Sequence, residues 1–340
     1  MNSAKRGGVK RLGAALGTVL LLGSLATFYL WLYYHTPAAR EAEAQVVSIA
    51  PGTHLYQIAT ELEQAGLIRH RWMFVLYVSR LHPGPHLQAG EYTLRATMSP
   101  VQIAAILRSG KVKQHVLTIP EGANLRDIAA AIAVKGLGDS QVILNLTHDA
   151  AFIASLGLST PSLEGYLFPD TYYLSRHMGE RALLTHMVQT LHKNYTDAIA
   201  AQGHRLGLTQ HAALTLASLI EKEAQVDEER PVIAAVYHNR LRRGMRLQCD
   251  PTVIYALGER FDGNLRKRDL RIDSPYNTYR YAGLPPGPIA SAGRRSIEAA
   301  VSPAATDYLY FVATGDNGRH KFSTTLREHN RAVHKYQVRQ

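Results

Sequence analysis

Cysteine is all but missing from this chain: Cys249 is the single one in 340 residues. That excludes an intrachain disulfide framework and any Cys-x-x-Cys metal or redox motif. It also leaves no lipobox cysteine near the N-terminus for lipid attachment. No partner histidine for Cys249 is evident from sequence, so a thiol nucleophile has little support. Gly-x-Ser-x-Gly, Walker A, Gly-x-Gly-x-x-Gly and His-Glu-x-x-His are absent, which removes the commonest hydrolase, nucleotide and zinc-protease chemistries. Acidic residues are in the minority, 27 Asp and Glu against 38 Lys and Arg, for a net charge of +11. Such a balance suits nucleic acid, an anionic polymer or a membrane surface. Without zinc-finger spacing or an RNP-like aromatic motif, nucleic acid loses its support. The 16 histidines are scattered. His82 and His86 flank a Pro-Gly-Pro turn and read as exposed residues. No metal and no cofactor are expected.

Charge is also absent from Leu12 to Tyr34, a run long enough to cross a bilayer. Lys5, Arg6, Lys10 and Arg11 precede it, and Phe28, Tyr29, Trp31, Tyr33 and Tyr34 crowd its far end as an interfacial aromatic belt. A cleaved signal peptide has a shorter apolar region and a small-residue cleavage site, which Thr36-Pro37-Ala38-Ala39 matches poorly. The expected element is an uncleaved signal anchor over 12–34, with residues 1–11 cytoplasmic and the remainder outside the cytoplasm. Residues 35–45 read as a linker.

An internal repeat follows. Ala50-Pro-Gly-Thr-His-Leu-Tyr-Gln-Ile-Ala matches Pro120-Glu-Gly-Ala-Asn-Leu-Arg-Asp-Ile-Ala, and Leu55, Ile58, Leu62 and Gly66 align with Leu125, Ile128, Ile132 and Gly136. Each copy reads as strand, glycine turn and short helix ending at glycine. A strand at 90–94 and a helix at 98–109 follow the first copy. Residues 181–204 pattern as one exposed helix.

From Ala212 to Ile220 there is no charged residue, the mark of a helix buried on every face. It ends in Glu221-Lys222-Glu223. Burial and the negative end of the helix dipole both disfavour a charged carboxylate, which is what a general acid needs near neutral pH. Two residues apart, the carboxyls point to different faces, so one can face a cleft while the other caps or pairs. Asp227 reads as the N-cap of a second helix, with Pro231 in its first turn and Gly244 at its end. Arg240, Arg242, Arg243 and Arg246 read as a solvated basic terminus favoured by the dipole. Loops dense in Pro, Gly, Asn, Thr and Tyr follow, over 247–255, 275–279 and 283–289. They offer neutral hydrogen-bonding groups and aromatic faces, the equipment for a large hydroxyl-rich ligand such as a glycan. A strand at 308–314 and a helix capped by Thr324 or Thr325 complete the chain.

Several of these stretches resemble the YceG-like family in order and in register. They are Leu-Glu-Gly-Tyr-Leu-Phe-Pro-Asp-Thr-Tyr at 163–172, Ala-Ser-Leu-Ile-Glu-Lys-Glu at 217–223, Asn-Arg-Leu at 239–241 and Met-Arg-Leu-Gln at 245–248. Asp-Pro-Thr-Val-Ile-Tyr at 250–255, Tyr-Asn-Thr-Tyr at 276–279, Gly-Leu-Pro-Pro-Gly-Pro-Ile at 283–289 and Tyr-Leu-Tyr-Phe-Val-Ala at 308–313 continue the match. The resemblance implies an α+β fold: one transmembrane helix, a small LysM-like α/β module at 46–116 and a larger mixed catalytic domain at 117–340. It implies an endolytic lytic transglycosylase of peptidoglycan, a lyase in the inner membrane facing the periplasm and working beside penicillin-binding synthases. Glu221 is then the expected catalytic acid. Glu164, Tyr166, Asp170, Glu223, Asn239, Gln248, Asp250, Tyr255, Tyr276, Asn277, Thr278, Tyr279 and Pro286 are the expected substrate-binding residues, with Glu223 orienting its neighbours through Arg240. At Cys249 the family more often carries a small hydroxyl residue. Two rival readings are a hydrolytic muramidase with two carboxylates and a membrane-anchored glycan-binding scaffold without catalysis.

Overall fold

The computed structural model describes residues 3–315 and 317–338, with side chains over 15–315 and 317–337. The basic residues Lys5, Arg6, Lys10 and Arg11 therefore lie outside the described side chains. The chain forms two compact units. One holds the residues up to Gln114 with Ser175–His177, the other His115–Leu174 and the chain from Met178 onward.

The first unit opens with α1 (Ser3–His35), whose apolar stretch Ala15–His35 is long enough to cross a bilayer. Strand β1 (Gln45–Ile49), helices α2 (Leu55–Gln64) and α3 (Arg71–Leu76), strand β2 (Gly90–Leu94) and helix α4 (Pro100–Ser109) follow. The strands pair antiparallel from Gln45↔Leu94 to Ile49↔Gly90. The helices close over Ile49, Leu62, Phe74, Tyr92 and Ile103. Residues 36–44 carry no helix or strand. Tyr33 and Tyr34 at the end of α1 are buried in this core, and the Ala39 N–H donates to the Ala96 carbonyl.

The second unit repeats the motif. Strand β3 (His115–Thr118) leads through Gly122 into α5 (Leu125–Val134), and β4 (Thr171–Leu174) returns to pair with β3. Asn124 caps α5 in a reciprocal box with Asp127. Gly66 and Gly136 end the two repeat helices at φ of 69° and 65°, a region open to glycine. Helices α6 (Ser140–Leu146) and α7 (Ala150–Ser155) fill the crossover.

The helix expected over 181–204 is two, α8 (Glu180–Asn194) and α9 (Asp197–Arg205), because the Thr196 side chain accepts from the Ile199 N–H and starts a new helix. Nor is α8 exposed: Leu183, Leu184, Met187, Val188 and Leu191 are buried. Helix α10 (Gln210–Glu223) is buried continuously from Ala213 to Ile220, as its composition requires, against the helices that follow it. These are α11 (Arg230–Arg242), α12 (Asp250–Leu257) and α13 (Arg294–Val301). Asp227 does not cap α11. A 3-10 turn over Asp227–Glu229 intervenes, and the Asp227 carboxylate binds Arg230 instead. A hairpin of β5 (Tyr310–Ala313) and β6 (His320–Ser323) precedes α14 (Leu326–Val333), which Thr325 caps with Glu328.

Candidate active site

Three clusters of side chains meet around α10 and α12. The first is a cleft of about 430 Å³ whose walls include Glu223, Gln248, Asp250, Tyr279, His320 and His329. Glu223 sits on the last turn of α10, packed in protein yet reachable from this cleft. The Tyr237 hydroxyl donates to it over 3.4 Å. Burial pushes the Glu223 carboxyl above the ordinary carboxylate range; the Cys249 thiol opposes that and the Asp250 charge adds to it. Among the described residues, no Lys or Arg forms an ion pair with Glu223. Cys249 itself is buried, its thiol pushed well up by burial, which suits a packing residue rather than a nucleophile.

Backbone geometry aims the rest of the cleft. Gln248 holds a φ of 51°, a region that a residue with a Cβ seldom occupies, and its N–H is tied to the Thr278 carbonyl. Asp250 opens α12 and accepts from the Tyr279 hydroxyl at 2.5 Å. The expected ligands Asn277 and Thr278 are instead buried and serve the backbone. Asn277 Nδ2 donates to the Leu270 and Ile272 carbonyls, and Thr278 Oγ1 accepts from the Cys249 N–H. Asn239 is spent likewise, on the Thr306 and Tyr308 carbonyls ahead of the β5–β6 hairpin. Arg240 corrects the picture of a solvated cluster: it is buried, donating to the Leu309 and Leu247 carbonyls at 2.7 and 2.6 Å, with its plane over Tyr310. Arg242, Arg243 and Arg246 remain exposed. Arg240 makes no hydrogen bond or ion pair with Glu223, so the expected coupling between them is absent among the described contacts.

The second cluster surrounds Glu221. Its side chain is 5% exposed and paired at 2.9 Å with Arg230, itself 10% exposed. The other carboxylate oxygen accepts from the Gly293 N–H at 2.9 Å. Arg230 also holds Asp227 and Ser296, with Glu121 at 3.9 Å. The apolar surroundings expected for Glu221 are thus a buried charge network. Both of its oxygens face donors, and it lines none of the clefts around Glu223 or Glu164.

The third cluster is a cleft of about 550 Å³ beside the start of α5, lined by Glu164, Tyr255 and Phe261 among others. Glu164 accepts from the Leu125 N–H and the Tyr255 hydroxyl, and burial raises its pKa to about 7. Tyr276 packs on Tyr255 at 4.9 Å. Tyr166 stands apart, its hydroxyl on His211 Nδ1 while His211 Nε2 meets the Pro286 carbonyl. Asp170 is exposed and turns its carboxylate onto the Thr171 N–H.

Of the residues expected from sequence, Glu223, Gln248, Asp250 and Tyr279 share one cleft, while Glu164 and Tyr255 share another. Arg230, Glu121 and the Glu229–His320 pair at 2.7 Å were not anticipated as partners. Glu229 and His320 lie 91 positions apart and Glu121 is far from Arg230 along the chain, so neither contact leaves a local pattern.

The model of the YceG-like family matches residues 47–335. An endolytic murein transglycosylase of Bacillus subtilis is 38% identical over 317 residues, covering 88% of this chain and 87% of that protein. One from Streptococcus pneumoniae is 32% identical over 320 residues, covering 84% of this chain and 57% of that longer protein. The 2.6 Å crystal structure of a YceG-like protein from Listeria monocytogenes superposes with a TM-score of 0.59 at 37% identity, over 85% of this chain and 98% of that one.

Proposed function

This chain belongs to the YceG-like family, and on that premise we propose that it is a membrane-anchored lytic transglycosylase that cuts inside peptidoglycan strands. Glu223, rather than Glu221, is assigned the acid. The observation that carries this assignment is a carboxyl whose pKa burial raises, with no Lys or Arg ion pair among the described residues, yet open to a polar and aromatic cleft. Glu221 is committed to Arg230 and Gly293 and serves as structure.

The reaction needs one carboxyl. Glu223 protonates the oxygen bridging N-acetylmuramic acid and N-acetylglucosamine as the C1–O bond breaks. Its carboxylate then takes the proton of the muramic C6 hydroxyl while O6 bonds to C1. The glycan gains a 1,6-anhydro end, no water is consumed and Glu223 is neutral again. Asp250, held by Tyr279 beside Glu223, stabilises the positive charge that develops on the ring. The apolar stretch of α1 anchors the chain in the inner membrane, which brings the cleft to newly made strands and ends their growth. Penicillin-binding synthases are the partners this location implies, and the LysM-like repeat is assigned to glycan binding.

Asp250 in the same cleft also supports a second reading, a two-carboxylate muramidase. Mass spectrometry of fragments released from purified sacculi separates the two. Anhydro ends, lost in Glu223→Gln, are expected; reducing ends would replace the transglycosylase with the hydrolase. An unchanged yield of anhydro fragments from Glu223→Gln would remove Glu223 from the chemistry.

A further inference from the structure

Within the first unit, the end of α1 is tied to the segment that opens α3 by hydrogen bonds and ring contacts. The Tyr33 hydroxyl donates to the His70 carbonyl and accepts from the His70 N–H at 3.0 Å, and the Tyr34 hydroxyl donates to the Met73 carbonyl. Tyr34 also packs on Tyr77 at 4.9 Å. Arg69 reaches back to the Pro37 carbonyl at 2.9 Å. The segment 69–73 is therefore fixed level with the turn that carries Tyr33 and Tyr34. Trp31, which is 55% exposed, lies less than one helical turn away along α1.

On that segment Trp72 is 60% exposed. Its ring continues a row that starts on the helix: Tyr33 stacks on His70 at 6.1 Å, and His70 on Trp72 at 6.3 Å. Arg69 is exposed beside it, and Arg71 lies over the exposed Tyr56 ring at 5.5 Å. Nothing in the chemistry assigned to the second unit uses these residues. An exposed indole flanked by tyrosine and arginine is the composition of a headgroup layer, where the ring is half in hydrocarbon and the cation meets phosphate. Here the aromatic belt of the helix runs on into the folded unit without a break.

We propose that Trp72, with Arg69, Arg71 and Tyr56, forms a docking face that lies against the anionic headgroups of the bilayer crossed by α1. This rests on the anchor reading of α1. The face orients the first unit on the membrane, so the anchor holds it in one pose rather than on a tether.

The sequence contains two tryptophans, Trp31 and Trp72, so each can be left as the sole reporter. Full-length Trp31→Phe and Trp72→Phe proteins are placed in nanodiscs of phosphatidylcholine and phosphatidylglycerol whose acyl chains are brominated at a shallow or a deep position. The expected result is loss of Trp72 emission that is greater with shallow than with deep bromine and falls by half or more when phosphatidylglycerol is omitted. Trp31 should be quenched in every disc. Quenched Trp31 with unquenched Trp72 would overturn the docking face and leave the anchor standing. Unquenched Trp31 would overturn both. Trp72 shielded from aqueous iodide but not quenched by bromolipid would mean that protein covers it, a second copy of the chain for instance, and would also overturn the proposal.

Discussion

Replacing Glu221 with glutamine separates structure from chemistry in this site. Breaking a buried ion pair costs about 3–5 kcal/mol when it strands a charge. Arg230 is not wholly stranded here, because Asp227 at 3.0 Å and Ser296 at 2.5 Å still accept from it. Glutamine also retains an oxygen for one donor, so the cost falls at the lower end, about 3 kcal/mol. At about 2–4 °C per kcal/mol for a unit of roughly 200 residues, the melting temperature should drop by about 6–12 °C. Arg230→Met should cost more, about 4–5 kcal/mol, because it leaves the buried Glu221 without its cation, while Arg295 still pairs with Asp227. The double variant should lose less than the two singles together, by about 1–3 kcal/mol, since it removes the pair as a unit. Thermal melts of all four proteins measure these differences, and turnover of sacculi well below each melting point measures the chemistry. Glu221→Gln should keep its turnover; Glu223→Gln should keep its melting temperature and lose turnover. A Glu221→Gln protein that melts like the parent and is inactive would refute the division of labour argued from the two carboxyls.

Other outcomes follow from single residues. Glu164 has its pKa raised to about 7 in the fold against 4.5 for the free group. Its contribution is therefore fully present below about pH 4.5 and is lost as pH rises through about 7, a span of about 3 kcal/mol. Melting curves of Glu164→Gln should show a shallower loss of stability over that window than the parent, and parallel curves would contradict it. Gly165 holds a φ of 76°, and a Cβ there would come within 2.3 Å of the Pro288 ring. A Cβ on Gly293 would meet the far end of the Glu121 side chain instead. Denaturant titration should find Gly165→Ala destabilised by more than about 2 kcal/mol and Gly293→Ala by clearly less. Gln248→Gly relieves a strained φ, so it should hold or gain up to about 1 kcal/mol while activity falls. Unchanged activity would take Gln248 out of the cleft's function.

Local physics made much of this protein legible in its residues. The uncharged run before Tyr34, the repeat with its glycine stops, the all-round burial of α10 and the Thr325 cap each depend on neighbours within a few positions. Spacing also allowed Glu221 and Glu223 to part ways, one to a cleft and one to a partner. Which did which was beyond it, because the choice belongs to Arg230 and Gly293, 9 and 72 residues onward from Glu221. Arg240 shows the same limit: as sequence it is a charge at a helix end, and only the carbonyls of Leu247 and Leu309 make it a buried brace. Composition determined the elements because hydrophobic periodicity and caps are short-range. Tertiary structure alone decided the roles of the charged groups, because a carboxyl's state depends on desolvation and on partners that the chain brings in from afar.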